Sequence, residues 1–589
     1  MKEVLSYKKK LKLLRNLLKK KDCNYYLLPR TDKFQNEFIS EEDERVKWLT
    51  GFSGSFAFVI ISLKQNIIFT DGRYIDQIKK EVDQKTFKIL DINNKEPILW
   101  LKDKIQAKEK VLLDSWLFSC NKFNYLKKIV KEKKSKILLS KEILIDKIWK
   151  KKPNKIINKI FIRETKYSGI FFKNKIQHVK KILKDKKINS FFFSSPESIS
   201  WLLNIRSNQI KYSPIVLSFL LLNLNEKSYF FSKKNKNLEK YFSSYFIIFD
   251  LQDLREILIN FSITNKEIYL DPNKTPYFIE NFFKTIGVKV KYSQDPCENL
   301  KLIKNPIEIK GFKSSHIRDG VSVCKFLFWL DEIIKKNKKV SEIITSKKLF
   351  EFRKKNKLFR GLSFETISSF GSNGSIIHYR VSTKTNKILK KNNLYLYDSG
   401  AQYLDGTTDV TRTICIGDNP TQEQKDRFTR VLKGNLGLSN YSFSDRTTGS
   451  VLDKIARRHL KKKKLDYPHG TGHGVGSYLS VHEGPISISK SSKTKFKKGM
   501  VLTNEPGFYK TNQYGIRIEN ILLVIKKKKL LGFEILTLVP IDIKLIDTKL
   551  LNIQEKNWLN IYHKKVFNKI FKYLNKKERK WLKEKTAPI

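Results

Sequence analysis

Four carboxylates and one imidazole stand in five segments of the C-terminal half: Asp398 in LYLYDSG, Asp409 in GTTDVTRT, His473 in GTGHGVG, Glu505 in TNEPG and Glu519 in GIRIEN. With no thiolate among them, they form a mostly hard donor set, suited to two divalent ions of the Mn, Co, Fe or Zn kind rather than to a structural zinc. Two such ions about 3.5–4 Å apart generate hydroxide at neutral pH and polarise a carbonyl together, so the chemistry favoured is hydrolysis.

The elements that must position these groups are readable around them. The alternating run Leu394 to Tyr397 leads into Asp398 as a strand, Gly400 and Asp405-Gly406 mark a turn, and TTDVTRTICI is a second strand, so Asp398 and Asp409 should face each other across a hairpin. MVLTNEPGFY and GIRIENILLVI are separated by TNQYG, a second hairpin that brings Glu505 and Glu519 together. A strand period of two places Arg517, Glu519 and Ile521 on one face, with the guanidinium beside the carboxylate of Glu519. Gly470, Gly472, Gly474 and Gly476 alternate around His473, as expected where backbone approaches a ligand closely. GTGHGVG does not satisfy GxGxxG and carries no Lys-Ser/Thr, which argues against a phosphate loop.

The series IIHY, DSGAQYLDGTTDVTRT, PHGTGHGVG, VHEGP, NEPGFY and GIRIEN resembles the pita-bread metallopeptidases, and among them the Xaa-Pro aminopeptidases. RTDKFQNEFI, WLTGFSGSFAFVII and FTDGRY near the N-terminus, ISWLLNIR in the middle, and LTLVPIDIKLIDTKLL, WLNIYH and TAPI at the end extend the resemblance to the long, three-domain form. It implies two creatinase-like α/β domains followed by a pita-bread catalytic domain and a C-terminal extension. It also implies that Asp398 binds one ion, His473 and Glu505 the other, and that Asp409 and Glu519 bridge both. A hydroxide between the ions attacks the scissile carbonyl, with Glu505 relaying its proton. His378, His469 and His482 match residues that orient the peptide, donate to the oxyanion and assist the leaving nitrogen. Arg517 is read as fixing Glu519, or as a plain cross-strand ion pair. Arg73 in TDGRY is read either as a substrate contact, reaching across a dimer interface, or as a structural turn arginine. The resemblance further implies a homodimer and peptide substrates with proline in second position, with manganese the foremost metal and cobalt, iron or zinc the alternatives.

At 589 residues the chain is too long for one core, and its 40% hydrophobic content allows several. The strand-like runs NYYLLP, FAFVIIS, NIIFTDG and KVLLDS mark a first α/β domain over 1–154; INSFFFSS, PIVLSFLLLN, YFIIFDL and EIYLDP mark a second over 155–303. No internal repeat is obvious. Asn305-Pro306 caps and opens a helix on which Ile309, Phe312 and His316 share a face; the catalytic domain then runs over 304–530, and 531–589 holds a β-rich run and a basic helix with Trp558, Tyr562, Phe567, Ile570 and Tyr573.

The formal charge of +61 raises nucleic acid as a partner. The excess is mostly lysine, however, dispersed over many segments and accompanied by abundant Phe, Ile, Asn and Tyr, the pattern of AT-rich codon usage; no nucleic-acid partner is expected. Five cysteines without a CxxC pair fit a reducing compartment, hence a cytoplasmic location. The start, with Leu5, Leu11, Leu14 and Leu18 near helical spacing, reads as the first helix of the first domain rather than a targeting segment. IVLSFLLLNL is too short to span a bilayer and reads as a buried strand, so no membrane is implied. Of the eight histidines, His178, His316, His459 and His563 are assigned to core or surface. The competing functions are a prolidase-like dipeptidase, a creatinase-like C–N hydrolase and a non-catalytic pita-bread binding module.

Overall fold

A computed structural model of the protein describes residues 6–140, 142–154 and 159–589. The chain forms two compact units, one from Met1–Ile162 with Phe171–Glu298, the other from Arg163–Ile170 with Asn299–Ile589. The leading amphipathic segment is a helix, Tyr7–Lys20, capped by the Ser6 hydroxyl and burying Leu11, Leu14 and Leu18; Leu5 and the expected boundary at 154/155, which abuts residues 155–158, touch positions outside the described residues.

The first unit contains two six-stranded sheets. The first comprises β1 (Tyr25–Pro29), β2 (Phe58–Ser62), β3 (Asn66–Thr70), β4 (Lys88–Asp91), β5 (Lys110–Asp114) and β6 (Lys136–Ser140) in the order β4-β3-β2-β1-β5-β6. β7 (Ile160–Ile162) pairs with a strand further along the chain. The second sheet comprises β8 (Ser190–Phe193) and, beyond β9 (Ile205–Ser207), which is the partner of β7, the strands β10 (Phe219–Asn223), β11 (Ser228–Phe231), β12 (Phe246–Phe249), β13 (Glu267–Leu270) and β14 (Lys289–Tyr292). Its order is β12-β11-β10-β8-β13-β14. Each sheet therefore reads 4-3-2-1-5-6 in its own strand count, and the parallel and antiparallel pairings match one for one. The repeat hidden in the residues is plain in the topology. β10, every residue of it buried, comes from the long apolar run, as expected.

In the second unit Asn305 caps the helix Pro306–Lys335 by accepting from the N–H groups of Ile307 and Glu308, each at 3.0 Å. Glu308 completes a capping box by accepting from the Asn305 N–H, a reciprocal bond the sequence reading did not include. Phe312 and His316 are buried on one helix face. The strands are β15 (Phe359–Leu362), β16 (Ile367–Phe370), β17 (Asn393–Ser399), β18 (Ala401–Tyr403), β19 (Gly406–Thr407), β20 (Val410–Ile416), β21 (Gly472–Gly474), β22 (Glu483–Ile488), β23 (Val501–Asn504), β24 (Gly507–Lys510), β25 (Tyr514–Arg517), β26 (Asn520–Lys527) and β27 (Leu530–Ile535). They form sheets β16-β17-β20 and β22-β21-β23-β26-β27, a small sheet β15-β18-β19 and a ribbon β24-β25.

The β-rich run expected at the start of 531–589 is a strand only as far as Ile535, in β27; beyond it the stretch holds two short 3₁₀ turns, Ile543–Leu545 and Thr548–Leu550, before the helix Ile553–Ile570. Its carbonyls are taken by a side chain instead of a neighbouring strand. The buried Arg412 of β20 donates to Val539 O at 2.9 Å, Pro540 O at 3.2 Å and the Tyr562 hydroxyl at 2.7 Å, and also to Glu519 O and the Asn520 side chain. Tyr573 falls in a separate 3₁₀ turn, and a further helix, Lys576–Lys585, follows.

Two glycines of the helix Gln422–Ser439 differ in their surroundings. A Cβ on Gly434 would meet Ala456 O at 2.2 Å, whereas one on Gly437 would touch only a methyl of Ile455 at 3.9 Å. Gly434→Ala should destabilise the fold by about 1–3 kcal/mol through overpacking, and Gly437→Ala should stabilise it by roughly 0.5–1 kcal/mol through helix propensity. Urea unfolding of the two variants should give midpoints on opposite sides of the parent.

Candidate metal centre

β17 and β20 run antiparallel with Asp398 opposite Thr411. Asp409 precedes β20 by one residue and lies two before Thr411, on the same face by strand alternation, so it reaches Asp398 diagonally rather than directly opposite. The reason is the excursion through β18 and β19, which replaces a simple hairpin turn. On the other side Asn504 pairs with Asn520 and Gly507 with Arg517. Between those pairs both chains pass from the ribbon into the five-stranded sheet, and the corner carries Glu505 and Glu519 side by side. Ile518 N–H donates to Pro506 O, and Glu519 N–H leaves the ribbon to donate to Thr411 O at 3.1 Å. The expected unbroken strand through Arg517, Glu519 and Ile521 is therefore interrupted. His473 sits on β21, with its N–H held by the Thr503 hydroxyl at 3.0 Å. The neighbouring glycines admit backbone, not ligand: a Cβ on Gly472 would strike Thr503 O, and one on Gly474 would strike Glu483 O.

The five residues converge. One ligand atom each of Asp409, His473 and Glu519 lies within 4.8 Å of the others, and His473 Nε2 is 3.7 Å from Asp409 Oδ2 and 3.6 Å from Glu505 Oε1. Asp398, Asp409 and Glu519 are buried. Burial, then their mutual repulsion, pushes Asp409 and Glu519 well above the usual carboxylate range, and burial with Asp398 close by raises Glu505 to about 7. The Oδ1 atoms of Asp398 and Asp409 are inaccessible to solvent and have no hydrogen-bond partner among the described residues. Buried carboxylate oxygens left in this way are destabilising unless a cation meets them, so the donor set fits divalent ions.

Arg517 is the guanidinium inside this cluster, but its partner is Asp398, not Glu519. It donates to Asp398 Oδ2 at 2.7 Å, to Tyr509 OH at 2.6 Å, to Ile377 O at 3.3 Å and to Thr411 Oγ1 at 3.2 Å. Thr411 in turn donates to Glu519 Oε2 at 2.7 Å, so Arg517 reaches Glu519 only through that hydroxyl. The break in strand period at Glu519 is what moves the carboxylate away from the guanidinium. Thr411 and Tyr509 were not singled out from the sequence, although Thr411 stands two residues from Asp409 on a strand, a signal that could have found it.

His482 packs edge-on against His473, ring centroids 4.4 Å apart. His469 Nε2 lies 2.9 Å from Tyr509 OH, joining it through Tyr509 and Arg517 to Asp398. His378 follows Ile377, whose carbonyl is held by Arg517. All three histidines are partly exposed. Arg73 pairs with Asp71 at 2.8 Å and lies over the Tyr74 ring, contacts that suffice for a turn arginine. His316 and His563 are buried, His563 accepting from Ile541 N–H; His459 is half-buried and His178 exposed.

Family models match in series: a Creatinase/Prolidase N-terminal domain at residues 10–145 and a second at 151–308, metallopeptidase family M24 at 312–526, and the C-terminal region of peptidase M24 at 529–589. A probable Xaa-Pro aminopeptidase P of Coprinopsis cinerea is 36% identical over 99% of this chain and 98% of its own length; Xaa-Pro aminopeptidase 1 of Dictyostelium discoideum is 37% identical over 99% and 96%. The chain belongs to metallopeptidase family M24, among the Xaa-Pro aminopeptidases. A crystal structure of X-prolyl aminopeptidase from Caenorhabditis elegans, described as a cytosolic enzyme with a di-nuclear active site, superposes with a TM-score of 0.94 at 32% identity, covering 99% of this chain and 100% of that one. A metal-dependent aminopeptidase of this family accounts for the five converging donors.

The raised carboxyls make the metal-free protein pH-sensitive in a defined sense. Glu505 titrates at about 7 when folded and near the ordinary glutamate value of 4.5 when unfolded, so the folded chain holds more protons between those values and its stability falls as pH rises. The thermal midpoint of chelator-treated protein should drop from pH 5 to pH 7.5, and saturating Mn²⁺ should remove that drop. A flat metal-free profile would contradict the shared burial of these groups.

Proposed function

We propose that this protein removes the N-terminal residue from peptides whose second residue is proline, using two divalent ions, manganese foremost. The observation that carries the reading is the convergence of Asp409, His473 and Glu519, with Glu505 and Asp398 beside them, and two buried carboxylate oxygens that have no hydrogen-bond partner among the described residues. In this reading Asp398, Asp409, His473, Glu505 and Glu519 would hold the two ions. When bound, the ions supply Lewis acidity that polarises the scissile carbonyl and acidifies water. The remaining work belongs to the chain. Arg517 neutralises Asp398 through Oδ2 and leaves Oδ1 without a hydrogen-bond partner among the described residues. Glu505, at the edge of the cluster, is placed to take a proton from the attacking water and pass it to the departing proline nitrogen. His482, against His473, is the donor to the developing oxyanion, and His378 and His469 orient the peptide. An X-Pro bond has no N–H and a restricted geometry, which makes a dedicated pocket reasonable.

The full-length likeness, through both creatinase-like segments and the C-terminal region, favours an aminopeptidase over a dipeptidase. A cytosolic location is supported by five buried free thiols and by the description of the Caenorhabditis elegans relative; no helix among the described residues is long and apolar enough to cross a membrane. A homodimer belongs to the same reading, and sedimentation tests it. Some of the lysine excess is structural: Lys10, Lys175, Lys301 and Lys304 are buried in the protein, which weakens the case for nucleic acid.

Metal-reconstituted protein should cleave X-Pro tripeptides and spare both matched X-Ala peptides and peptides blocked at the N-terminus, and chelation should abolish the reaction reversibly. Asp409→Asn and Glu519→Gln should each lose bound metal and activity together; full activity at unchanged metal content would refute the assignment. His482→Ala should keep its metal while kcat falls by roughly 10²–10³, and loss of metal instead would make His482 a ligand.

A further inference from the structure

His482 is the last residue of a loop, Val475 to His482, that has little regular structure of its own. Its closing strand β22 meets β21 through an irregularity: His473 pairs with Ser487, yet the next residue, Gly474, pairs with Glu483. Nothing in that ladder sets the position of His482. His482 lies partly exposed against His473, whereas the next residue, Glu483, opens β22 and is buried in the protein. There it meets two buried lysines from the segment ahead of the long helix Pro306–Lys335. Lys304 forms a hydrogen-bonded ion pair with Glu483 and also donates to Lys301 O at 2.9 Å. Lys301 Nζ donates to Gly484 O at 3.2 Å and lies 3.7 Å from the Glu483 carboxylate. All three side chains are at most 2% exposed.

The other end of the loop is held by a residue far away in sequence. Arg163, 1% exposed, donates to Ser477 O at 2.8 Å and to Ser477 Oγ at 2.9 Å, with its Nε on Leu404 O at 3.1 Å. Glu308 lies 3.7 Å behind it. In the middle, Gln402 donates to Leu479 O at 2.7 Å. Three buried cations on one short loop are hard to explain by stability, since a buried ion pair is often no better than a well-packed apolar pair. They do specify one backbone path, which is what a side chain needs if it is to meet a transition state within a few tenths of an ångström.

We propose that Lys304, with Lys301 and Arg163 at the two ends of the loop, is a positioning residue for His482: the clamp fixes the Ser477–Glu483 backbone and so the aim of the imidazole. The proposal rests on the reading of His482 as a substrate-facing donor. Lys304→Met should retain its metal, lower kcat about 10–100-fold and change KM by no more than about threefold, in keeping with an interaction made chiefly in the transition state. Because the lysine acts through His482, Lys304→Met should cost little further when added to His482→Ala. Should Lys304→Met fail to fold, Lys301→Met/Lys304→Met/Glu483→Leu removes all three buried charges, should fold, and should still show the low kcat. An unchanged kcat, a full additional loss in the His482→Ala background, or recovery of kcat in the triple variant would each overturn the proposal. Hydrogen exchange across residues 475–484 reads the clamp without turnover: it should quicken in whichever Lys304 variant folds, and unchanged protection sinks the proposal even if no peptide is ever cleaved. Absence of X-Pro hydrolysis by the parent protein would instead count against the proposed function.

Discussion

Asp398, Asp409, Glu505 and Glu519 repel one another in a volume from which most water is excluded, and the second unit is arranged to tolerate that repulsion until cations arrive. The guanidinium of Arg517 is admitted, and it pairs directly with only one of the four carboxylates, Asp398. Fuller compensation by protein charges would stabilise the empty chain and compete with divalent ions for the same oxygens. Burial and repulsion raise Asp409 and Glu519 well above the usual carboxylate range, so protons and divalent ions compete for the same oxygens. The surrounding structure follows from this constraint, with Thr411, Thr503 and Tyr509 spending their hydroxyls on the cluster and strand corners placing Glu505 and Glu519 where regular pairing would not.

How much of this could be read from the residues depends on the distance in sequence over which each contact is made. The five candidate ligands sit in short segments whose alternation and turn residues announce strands and corners, so their convergence was legible. The partner of Arg517 was not, because the strand carrying it breaks one residue later, and a period-two argument holds only within an unbroken strand. The capping residues Asn305 and Pro306 announced the long helix. The stretch around Val539 and Pro540 has a strand-like composition, but its carbonyls are claimed by Arg412, more than a hundred residues earlier in the chain. Arg163, 314 residues from the loop it holds, lies beyond any pattern-based argument.

The duplicated sheets of the first unit make the complementary point. Their strands share no obvious residue pattern, and both alternation and apolar runs occur in each, yet order and sense agree strand by strand. Backbone pairing preserves a topology long after side chains have drifted, since each apolar strand accepts many substitutions of similar volume. That tolerance also fits the lysine-rich composition, which has altered surfaces freely while leaving the pairing intact.

The grip of Arg412 on both Glu519 and the C-terminal segment has a consequence for how the protein is made. β20 emerges from the ribosome early, with a guanidinium whose acceptors, Val539, Pro540 and the Tyr562 hydroxyl, have not yet been synthesised. The α/β unit, made earlier, can fold first, as domains generally do in N-to-C order, but β20 and the corner bearing Glu519 stay incompletely held until the helix Ile553–Ile570 is released. A chain that stops short of Tyr562 therefore lacks part of the hydrogen-bonded network that ties the Glu519 corner to β20.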